Sequence, residues 1–178
     1  MQQMKELILG GARSGKSKLA EQAAEASGLQ RVYIATAQAG DGEMAQRIEL
    51  HRQRRGDDWQ LVEEPANLAQ TLVEQAGEGS CILVDCLTLW LSNCLFCGDD
   101  SEWPRQRAAL LACLPTLPGR IIFVSNEISM GVVPMGEVTR QFVDEAGLLH
   151  QALAEICDRV TLSVAGLPHV LKNIETEN

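Results

Sequence analysis

A short apolar run, a glycine-rich loop and a helical pattern follow one another directly near the start of the chain. The apolar run Met4–Leu9 predicts a strand, and Lys16–Ala26 predicts a helix. Backbone N–H groups of such a loop wrap phosphate groups, its lysine reaches the β- and γ-phosphate oxygens, and the serine after it binds Mg²⁺. We therefore predict a phosphate-binding P-loop in which Lys16 acts in catalysis and Ser17 is a metal ligand. The loop comprises Gly10, Gly11, Ala12, Arg13, Ser14, Gly15, Lys16 and Ser17.

Strand-like runs rich in Val, Ile and Leu alternate with helical patterns along the chain. The predicted strands are Met4–Leu9, Arg31–Thr36, Cys81–Asp85, Arg120–Ser125 and Arg159–Val164, with a weaker edge strand at Gln60–Val62. The predicted helices are Lys16–Ala26, Glu43–Arg54, Ala66–Ala76, Leu87–Cys97, Pro104–Leu114 and Glu137–Cys157, with Pro65 and Pro104 at helix starts. This alternation indicates a mostly parallel sheet, and strands that are apolar throughout indicate helices on both faces. The predicted fold class is α/β, a single three-layer α/β/α P-loop NTPase domain over residues 1–178.

The composition is that of a globular chain with an excess of acidic residues. The chain has 178 residues, is 46% hydrophobic and carries a formal net charge of −9. This charge repels a polyanion, so we expect no nucleic-acid partner. The longest apolar run, Cys86–Cys97, is too short to cross a bilayer, and no charged-then-apolar leader precedes the first strand. We therefore expect no stable membrane insertion and a cytoplasmic location, with disorder confined to the ends, chiefly Lys172–Asn178.

Six cysteines raise the question of disulfides or metal. Most lie in apolar patterns, where a reduced thiol packs as a small hydrophobic group. Cys94 and Cys97 have the spacing of zinc and redox sites, but no second Cys or His pair at matching spacing accompanies them. We favour reduced core thiols over a metal or redox module. The six are Cys81, Cys86, Cys94, Cys97, Cys113 and Cys157.

Ligands of open α/β sheets bind at the carboxyl ends of the strands, so the residues there are candidates for the site. Thr36-Ala37-Gln38 and Asn126-Glu127 follow predicted strands. Asp85 ends another, at the position where P-loop NTPases keep the carboxylate that holds Mg²⁺. The alternative role of Asp85 is a cap for the helix Leu87–Cys97. We favour the role of holding Mg²⁺, because the chain already contains a P-loop.

The segment Glu43–Arg55 is the second unusual feature. Met44, Ile48 and His51 recur at i, i+4 and i+7, so they share the apolar face of a helix and His51 is expected to point inward. The arginines around it suit phosphate charge, although a solvated basic helix end would be favoured by the macrodipole alone. These patterns leave the role of His51 open. The arginines are Arg47, Arg52, Arg54 and Arg55.

Several stretches resemble one family in both order and spacing across nearly the whole chain. This is the bifunctional adenosylcobinamide kinase/adenosylcobinamide-phosphate guanylyltransferase family of cobalamin biosynthesis, the CobU/CobP type. The first matching stretches are Gly10–Ser17, Tyr33-Ile34-Ala35-Thr36-Ala37-Gln38 and Glu43-Met44-Ala45-x-Arg47-Ile48-x-x-His51. The others are Trp59-x-Leu61-Val62-Glu63-Glu64-Pro65, Leu83-Val84-Asp85-Cys86-Leu87-Thr88-Leu89-Trp90-Leu91-x-Asn93 and Val124-Ser125-Asn126-Glu127.

The resemblance implies two reactions on one corrinoid substrate. The first phosphorylates the hydroxyl of the aminopropanol arm of adenosylcobinamide with ATP or GTP, with Mg²⁺ as the metal. The second transfers GMP from GTP to that phosphate, which gives adenosylcobinamide-GDP and pyrophosphate. The resemblance also implies a RecA-like fold and a homotrimer.

The family's site residues are carried over to matching positions of this chain. His51 corresponds to the histidine that becomes guanylylated, and Glu63 and Asp85 complete the GTP site. Whether Glu63 or Glu64 faces the nucleotide stays open. Two positions depart from the family pattern, Ser129-Met130-Gly131 and His150. Both lie outside the motifs that carry the chemistry, so they bear on how the corrinoid is bound more than on the reaction. Residues lining the GTP site are Thr36, Ala37, Gln38, Arg52, Gln53, Arg54 and Arg55.

The main alternative is a simple P-loop small-molecule kinase or NTPase without guanylyl transfer, in which His51 is only packed. A regulatory GTPase would need an Asn-Lys-x-Asp motif for guanine, and the chain has none. The other two histidines, His150 and His169, are interpreted as structural.

Overall fold

A computed structural model of the protein describes residues 3–37 and 58–174. The predicted helix Glu43–Arg54 lies outside these residues. The strands are β1 Met4–Gly10, β2 Gln30–Ala35, β3 Trp59–Glu63, β4 Ser80–Asp85, β5 Arg120–Asn126, β6 Arg159–Val164 and β7 Leu167–Asn173. The helices of this part of the chain are α1 Lys16–Ala26, α2 Leu68–Gln75, α3 Leu87–Leu95, α4 Glu102–Cys113 and α5 Glu137–Ile156, with a 3₁₀ turn at Leu114–Thr116.

The strands form one seven-stranded sheet in the order β3-β2-β4-β5-β1-β6-β7. Every neighbouring pair from β3 to β6 is parallel, and β6 and β7 are antiparallel. The predicted mostly parallel sheet is therefore confirmed, and so is the edge position of β3. Because β5 lies between β1 and β4, the loop after β1 and the carboxylate at the end of β4 are separated by one strand.

The strand β7 was not predicted from the sequence. Ala165 and Gly166 both have positive φ, 52° and 78°, and they form a two-residue hairpin loop that turns the chain back along β6. The expectation of disorder from Lys172 onward is wrong for Lys172 and Asn173, because both pair with β6. Pro168 is compatible with this strand because β7 lies at the sheet edge, where a missing N–H is tolerated.

Neither proline predicted at a helix start occupies one. Helix α4 begins at Glu102, so Pro104 is its third residue, where the backbone N–H would have no partner within the helix. Helix α2 begins at Leu68 rather than after Pro65. The Glu64 carboxylate accepts the N–H groups of Ala66 and Asn67, which holds these residues in a turn before the helix.

The core lies on both faces of the sheet, because successive strand residues point to opposite sides. On β5, Phe123 belongs to a large cluster packed against α2, α3, α4 and α5, whereas Ile122 belongs to a smaller cluster packed against α1. Helices thus cover both faces, as the continuously apolar strands predict. Within residues 3–37 and 58–174, no helix has the length and apolar character needed to cross a bilayer.

Candidate functional site

The glycine-rich loop joins the end of β1 directly to the start of α1. Gly10 is the last residue of the strand, and Lys16 and Ser17 are the first two of the helix. Arg13 and Gly15 adopt positive φ, 56° and 90°, so the chain coils tightly before the helix begins. The free N–H groups and the positive dipole end of α1 consequently border the loop, which is the arrangement that binds phosphate.

The Lys16 side chain lies along the same loop. Its Nζ donates a hydrogen bond to the Gly11 carbonyl at 3.0 Å, and this bond is exposed. Because this hydrogen bond is single and exposed, Lys16 can readily give it up and donate to a phosphate oxygen instead. Lys16 is thus placed to bring its ammonium to an anion held by the loop.

Asp85 ends β4 and does not cap the following helix. The N-cap of α3 is Cys86, and Asp85 Oδ2 instead accepts a hydrogen bond from the Tyr33 hydroxyl at 2.8 Å. Burial raises the pKa of the Cys86 thiol, the Asp85 carboxylate raises it further, and the Lys16 ammonium opposes them. The strand order places Asp85 and the start of the loop at the same edge of the sheet, one strand apart.

Oxygen donors of the kind that Mg²⁺ prefers are present at this place. The Ser17 hydroxyl stands in the first turn of α1, and the Asp85 carboxylate is half-buried at the strand end. This donor set fits Mg²⁺ bound together with nucleotide phosphates.

A buried polar network ties the strand ends together next to Asp85. The Thr36 hydroxyl donates to the Cys86 carbonyl at 2.7 Å and accepts the Cys86 N–H at 2.9 Å. Asn126 Nδ2 donates to the Thr88 hydroxyl at 2.8 Å, which links the end of β5 to α3. Asn93 Nδ2 donates to the Thr36 carbonyl at 2.8 Å and so fixes the chain after β2. Ala37 follows as a half-buried residue.

The two candidate glutamates have different surroundings. Glu63 is exposed at the end of β3, four strands from β1, a separation of about 19 Å at the usual strand spacing. Glu64 uses Oε1 to accept the N–H groups before α2 and Oε2 to accept the Thr71 hydroxyl at 3.3 Å. The Glu64 carboxylate is thus committed to the start of α2, whereas Glu63 faces solvent.

The end of β5 contacts the loop directly. The Glu127 N–H donates to the Gly10 carbonyl at 3.0 Å. One residue before Asn126, the buried Ser125 hydroxyl lies 2.7 Å from His150 Nε2 on α5. His150 is buried and His169 is exposed on β7. His150 thus packs beneath the end of β5, one residue before Asn126.

Six predicted site residues lie outside the residues that the structure describes. They are Gln38, His51, Arg52, Gln53, Arg54 and Arg55.

The cysteines are free thiols. Cys81, Cys86, Cys94 and Cys157 are buried, Cys113 is half-buried and Cys97 is exposed. Cys97 donates its S–H to the Cys94 carbonyl at 3.2 Å. Among residues 3–37 and 58–174, no group of three or more His, Cys, Asp and Glu side chains is arranged to hold a metal ion by itself.

Sequence patterns did not single out several residues that build this site. Tyr33, Thr88 and Asn93 lie inside elements, and their hydrogen bonds join parts of the chain far apart in sequence. No local signal marks these pairings. The β6–β7 turn did have a signal, since Ala165-Gly166 follows the apolar run of β6 directly, as the loop of a short hairpin does.

A family model and individual relatives point to the same protein family. The family described as cobinamide kinase / cobinamide phosphate guanyltransferase matches residues 6–171. The bifunctional adenosylcobalamin biosynthesis protein CobP of Pseudomonas aeruginosa is 63% identical over 169 residues, which cover 95% of this chain and 98% of that protein. The corresponding protein CobU of Escherichia coli is 37% identical over 174 residues, with 90% of this chain and 96% of that protein covered.

Solved structures show the fold. The flagellar accessory protein FlaH of Methanocaldococcus jannaschii aligns with a TM-score of 0.53 at 13% identity, covering 96% of this chain and 78% of that one. An identity this low carries information on architecture alone. The predicted α/β fold with a mostly parallel sheet is confirmed.

Proposed function

The chain belongs to the cobinamide kinase / cobinamide phosphate guanyltransferase family, and from this premise we propose how its residues carry the two reactions. In the first, the hydroxyl of adenosylcobinamide attacks the γ-phosphate of ATP or GTP and the nucleoside diphosphate leaves. In the second, GMP passes from GTP to the new phosphate and pyrophosphate leaves. The products are adenosylcobinamide phosphate and then adenosylcobinamide-GDP.

One observation supports this proposal most directly: the loop Gly10–Ser17 and Asp85 lie at the same edge of the sheet, after two strands separated only by β5. The loop N–H groups and Lys16 would hold the phosphates of the donor nucleotide in both reactions. Mg²⁺, when bound by Ser17 and Asp85, supplies charge neutralisation of the phosphate oxygens. Tyr33 would orient Asp85 through its hydrogen bond to Oδ2.

We infer from the family resemblance that His51 is the nucleophile of the second reaction. A neutral imidazole nitrogen attacks the α-phosphorus of GTP, so that a P–N bond forms and the P–O bond to pyrophosphate breaks. A phosphate oxygen of the corrinoid then attacks the same phosphorus, the P–N bond breaks and the free imidazole returns. Gln38 and the residues Arg52–Arg55 are proposed to line the GTP site around it.

Labelling with α-³²P-GTP tests this role. We expect wild-type protein to retain label that is acid-labile and base-stable, as a phosphoramidate is. The variant His51→Ala should retain none, whereas His169→Ala, which changes an exposed histidine of β7, should be labelled like wild type. Equal labelling of His51→Ala and wild type would favour the alternative, a simple P-loop kinase without guanylyl transfer.

A product assay separates the two reactions. Incubation of adenosylcobinamide with GTP and Mg²⁺ should give both the phosphorylated and the GDP-linked corrinoid. With His51→Ala we expect the phosphorylated product alone, because the kinase reaction does not use this histidine. Loss of both products in that variant would contradict separate roles for the P-loop and His51.

We further propose a homotrimer, as the resemblance implies. An exposed apolar segment after β5 supports an interface between copies, since a large apolar patch on a protein surface usually marks an interaction site. Sedimentation equilibrium should give three times the chain mass of 19.4 kDa, and a single-chain mass would contradict the proposal. The exposed apolar residues of this segment are Ile128, Met130, Val132, Val133, Met135 and Val138.

A further inference from the structure

The hairpin of β6 and β7 touches the middle of the P-loop. In the sheet, Ser163 is the parallel-strand partner of Gly10, the residue where the loop begins. The Ser163 hydroxyl donates a hydrogen bond to the Ser14 carbonyl at 2.7 Å, and the Gly166 N–H donates to the same oxygen at 2.8 Å. Two donors from the hairpin therefore converge on one carbonyl of the loop.

The Ser163–Ser14 hydrogen bond of this contact is closely packed and shielded from water. Ser163 is 1% exposed and Ser14 is 8% exposed. A Cβ on Gly15 would lie 3.0 Å from the Gly166 Cα, so two glycine backbones approach where a side chain would not fit. Hydrogen bonds in such a dry place are stronger than those at the surface, and their loss leaves a polar atom unsatisfied.

The turn that supplies the Gly166 donor is held in a disfavoured conformation. Ala165 has a φ of 52°, in the left-handed region that costs free energy for any residue other than glycine. Both residues of the turn are exposed, and positive φ at both positions is what a two-residue hairpin loop requires. The hairpin itself therefore fixes the direction of the Gly166 N–H that contacts the P-loop.

The direction of one peptide unit connects this contact to phosphate binding. The Ser14 carbonyl and the Gly15 N–H belong to the same peptide unit, which is trans, since the cis bond found among the described residues is at Asp85-Cys86. In a planar trans peptide the C=O and N–H point in opposite directions. A carbonyl fixed toward the hairpin therefore fixes the Gly15 N–H away from it.

We propose that Ser163 and the Ala165-Gly166 turn are positioning residues that hold the Ser14–Gly15 peptide so that the Gly15 N–H points into the phosphate cradle. The inference rests on the proposed nucleotide function of the loop. Donors fixed in advance bind a phosphate without the cost of reorienting the peptide during the reaction. Both the kinase and the guanylyl-transfer reaction use the same cradle, so both should depend on Ser163 to the same extent.

Nucleotide binding by Ser163→Ala tests this assignment. We expect the Kd for GTP to rise by about 3- to 10-fold, the loss that corresponds to one buried hydrogen bond. The inhibition constant of tripolyphosphate, which reports on the cradle without guanine, should rise by the same factor. In nitrogen–proton NMR spectra, the Gly15 amide signal should shift on GTP addition in wild type and shift less in Ser163→Ala.

Three further variants make the outcome decisive. Thr161→Val removes another buried hydroxyl from the same face of β6, one without a hydrogen-bond partner among the described residues, and should leave the Kd for GTP unchanged. Ser163→Thr keeps the hydroxyl and should bind GTP within about 2-fold of wild type. Lys16→Ala tests the nucleotide site itself and should bind GTP weakly.

The variants together separate the positioning role of Ser163 from the existence of the nucleotide site. If Ser163→Ala binds GTP like wild type while Lys16→Ala does not, the positioning role is wrong and the nucleotide site stands. If Lys16→Ala also binds GTP like wild type, the proposed nucleotide site is wrong. If Ser163→Ala does not fold, a Ser163→Thr variant that folds but binds GTP no more tightly than Lys16→Ala overturns the role of the hydroxyl.

Discussion

At the level of single residues, the space around each P-loop glycine decides which substitutions the loop tolerates. A Cβ on Gly10 would lie 2.8 Å from the Ser163 carbonyl oxygen and would also press on the Ser14 hydroxyl, whereas a Cβ on Gly11 meets nothing within 4 Å. We expect Gly10→Ala to lower the free energy of unfolding by about 1–3 kcal/mol, because β1 and β6 must separate to admit the methyl group. Gly11→Ala should unfold like wild type in urea. Equal stability of the two variants would contradict this account of the loop.

The buried histidine behind the site makes stability depend on pH. Burial lowers the pKa of His150 below its usual value of 6.5, with Glu127 opposing. Because the unfolded chain then binds a proton more readily than the folded one, the free energy of unfolding should fall as pH drops below about 6.5 toward the folded-state pKa. Above that pH range, the free energy of unfolding should return to its full value.

The variant His150→Asn isolates this effect, since asparagine does not titrate and can still hydrogen-bond near Ser125. We expect its melting temperature to decrease less than that of wild type between about pH 7.5 and pH 5. The two proteins differ only at position 150, so the comparison reports on this residue alone. An unchanged pH dependence would show that His150 titrates alike in both states.

At the level of elements, the start of α2 separates the two candidate glutamates. Glu64 accepts the N–H groups of Ala66 and Asn67 at 2.8 and 2.7 Å, and its negative charge lies at the positive end of the helix dipole. We expect Glu64→Gln to lower the free energy of unfolding by about 0.5–2 kcal/mol, the range of a helix cap, with little change in GTP affinity. Urea denaturation and GTP titration measure the two effects.

The exposed Glu63 gives the matched comparison. The variant Glu63→Gln should keep its stability within about 0.5 kcal/mol of wild type, because the side chain is at the surface. We expect it to weaken GTP binding, because the family resemblance carries a residue of the GTP site over to Glu63 and the structure commits the Glu64 carboxylate to the start of α2. The opposite pair of results would assign the nucleotide contact to Glu64.

At the level of the whole molecule, β5 joins the two halves of the core and of the site. The strand lies between β1 and β4, and Phe123 is fully buried in the larger cluster beneath four helices. We expect Phe123→Ala to lower the free energy of unfolding by about 3–5 kcal/mol, because the cavity would lie where helices and sheet meet. Val73→Ala, a truncation on α2 at a side chain 56% exposed, should change it by less than about 0.5 kcal/mol. Comparable losses in chemical denaturation would contradict a core centred on β5.

Local sequence patterns correctly predicted the elements whose starts and ends are set by residues close together in the chain. Helix α1 has the predicted bounds because the loop glycine starts it and the apolar spacing continues to Ala26, and β6 also has its predicted bounds. Pro104 misled the prediction because a proline fits several positions of the first helical turn. Strand β7 was missed because its residues are mostly exposed and lack the apolar run of the other strands.

The sequence by itself determined the phosphate-binding loop, the alternation that requires a parallel sheet and the resemblance that identifies the family. These follow from residues close together in the chain, and the motif chemistry needs no knowledge of distant neighbours. Only the tertiary structure decided which groups meet: Tyr33 with Asp85, Asn126 with Thr88, and Ser163 with Ser14 across 149 positions. Such pairs depend on strand order and register, which are set by packing across the whole sheet rather than by any local pattern.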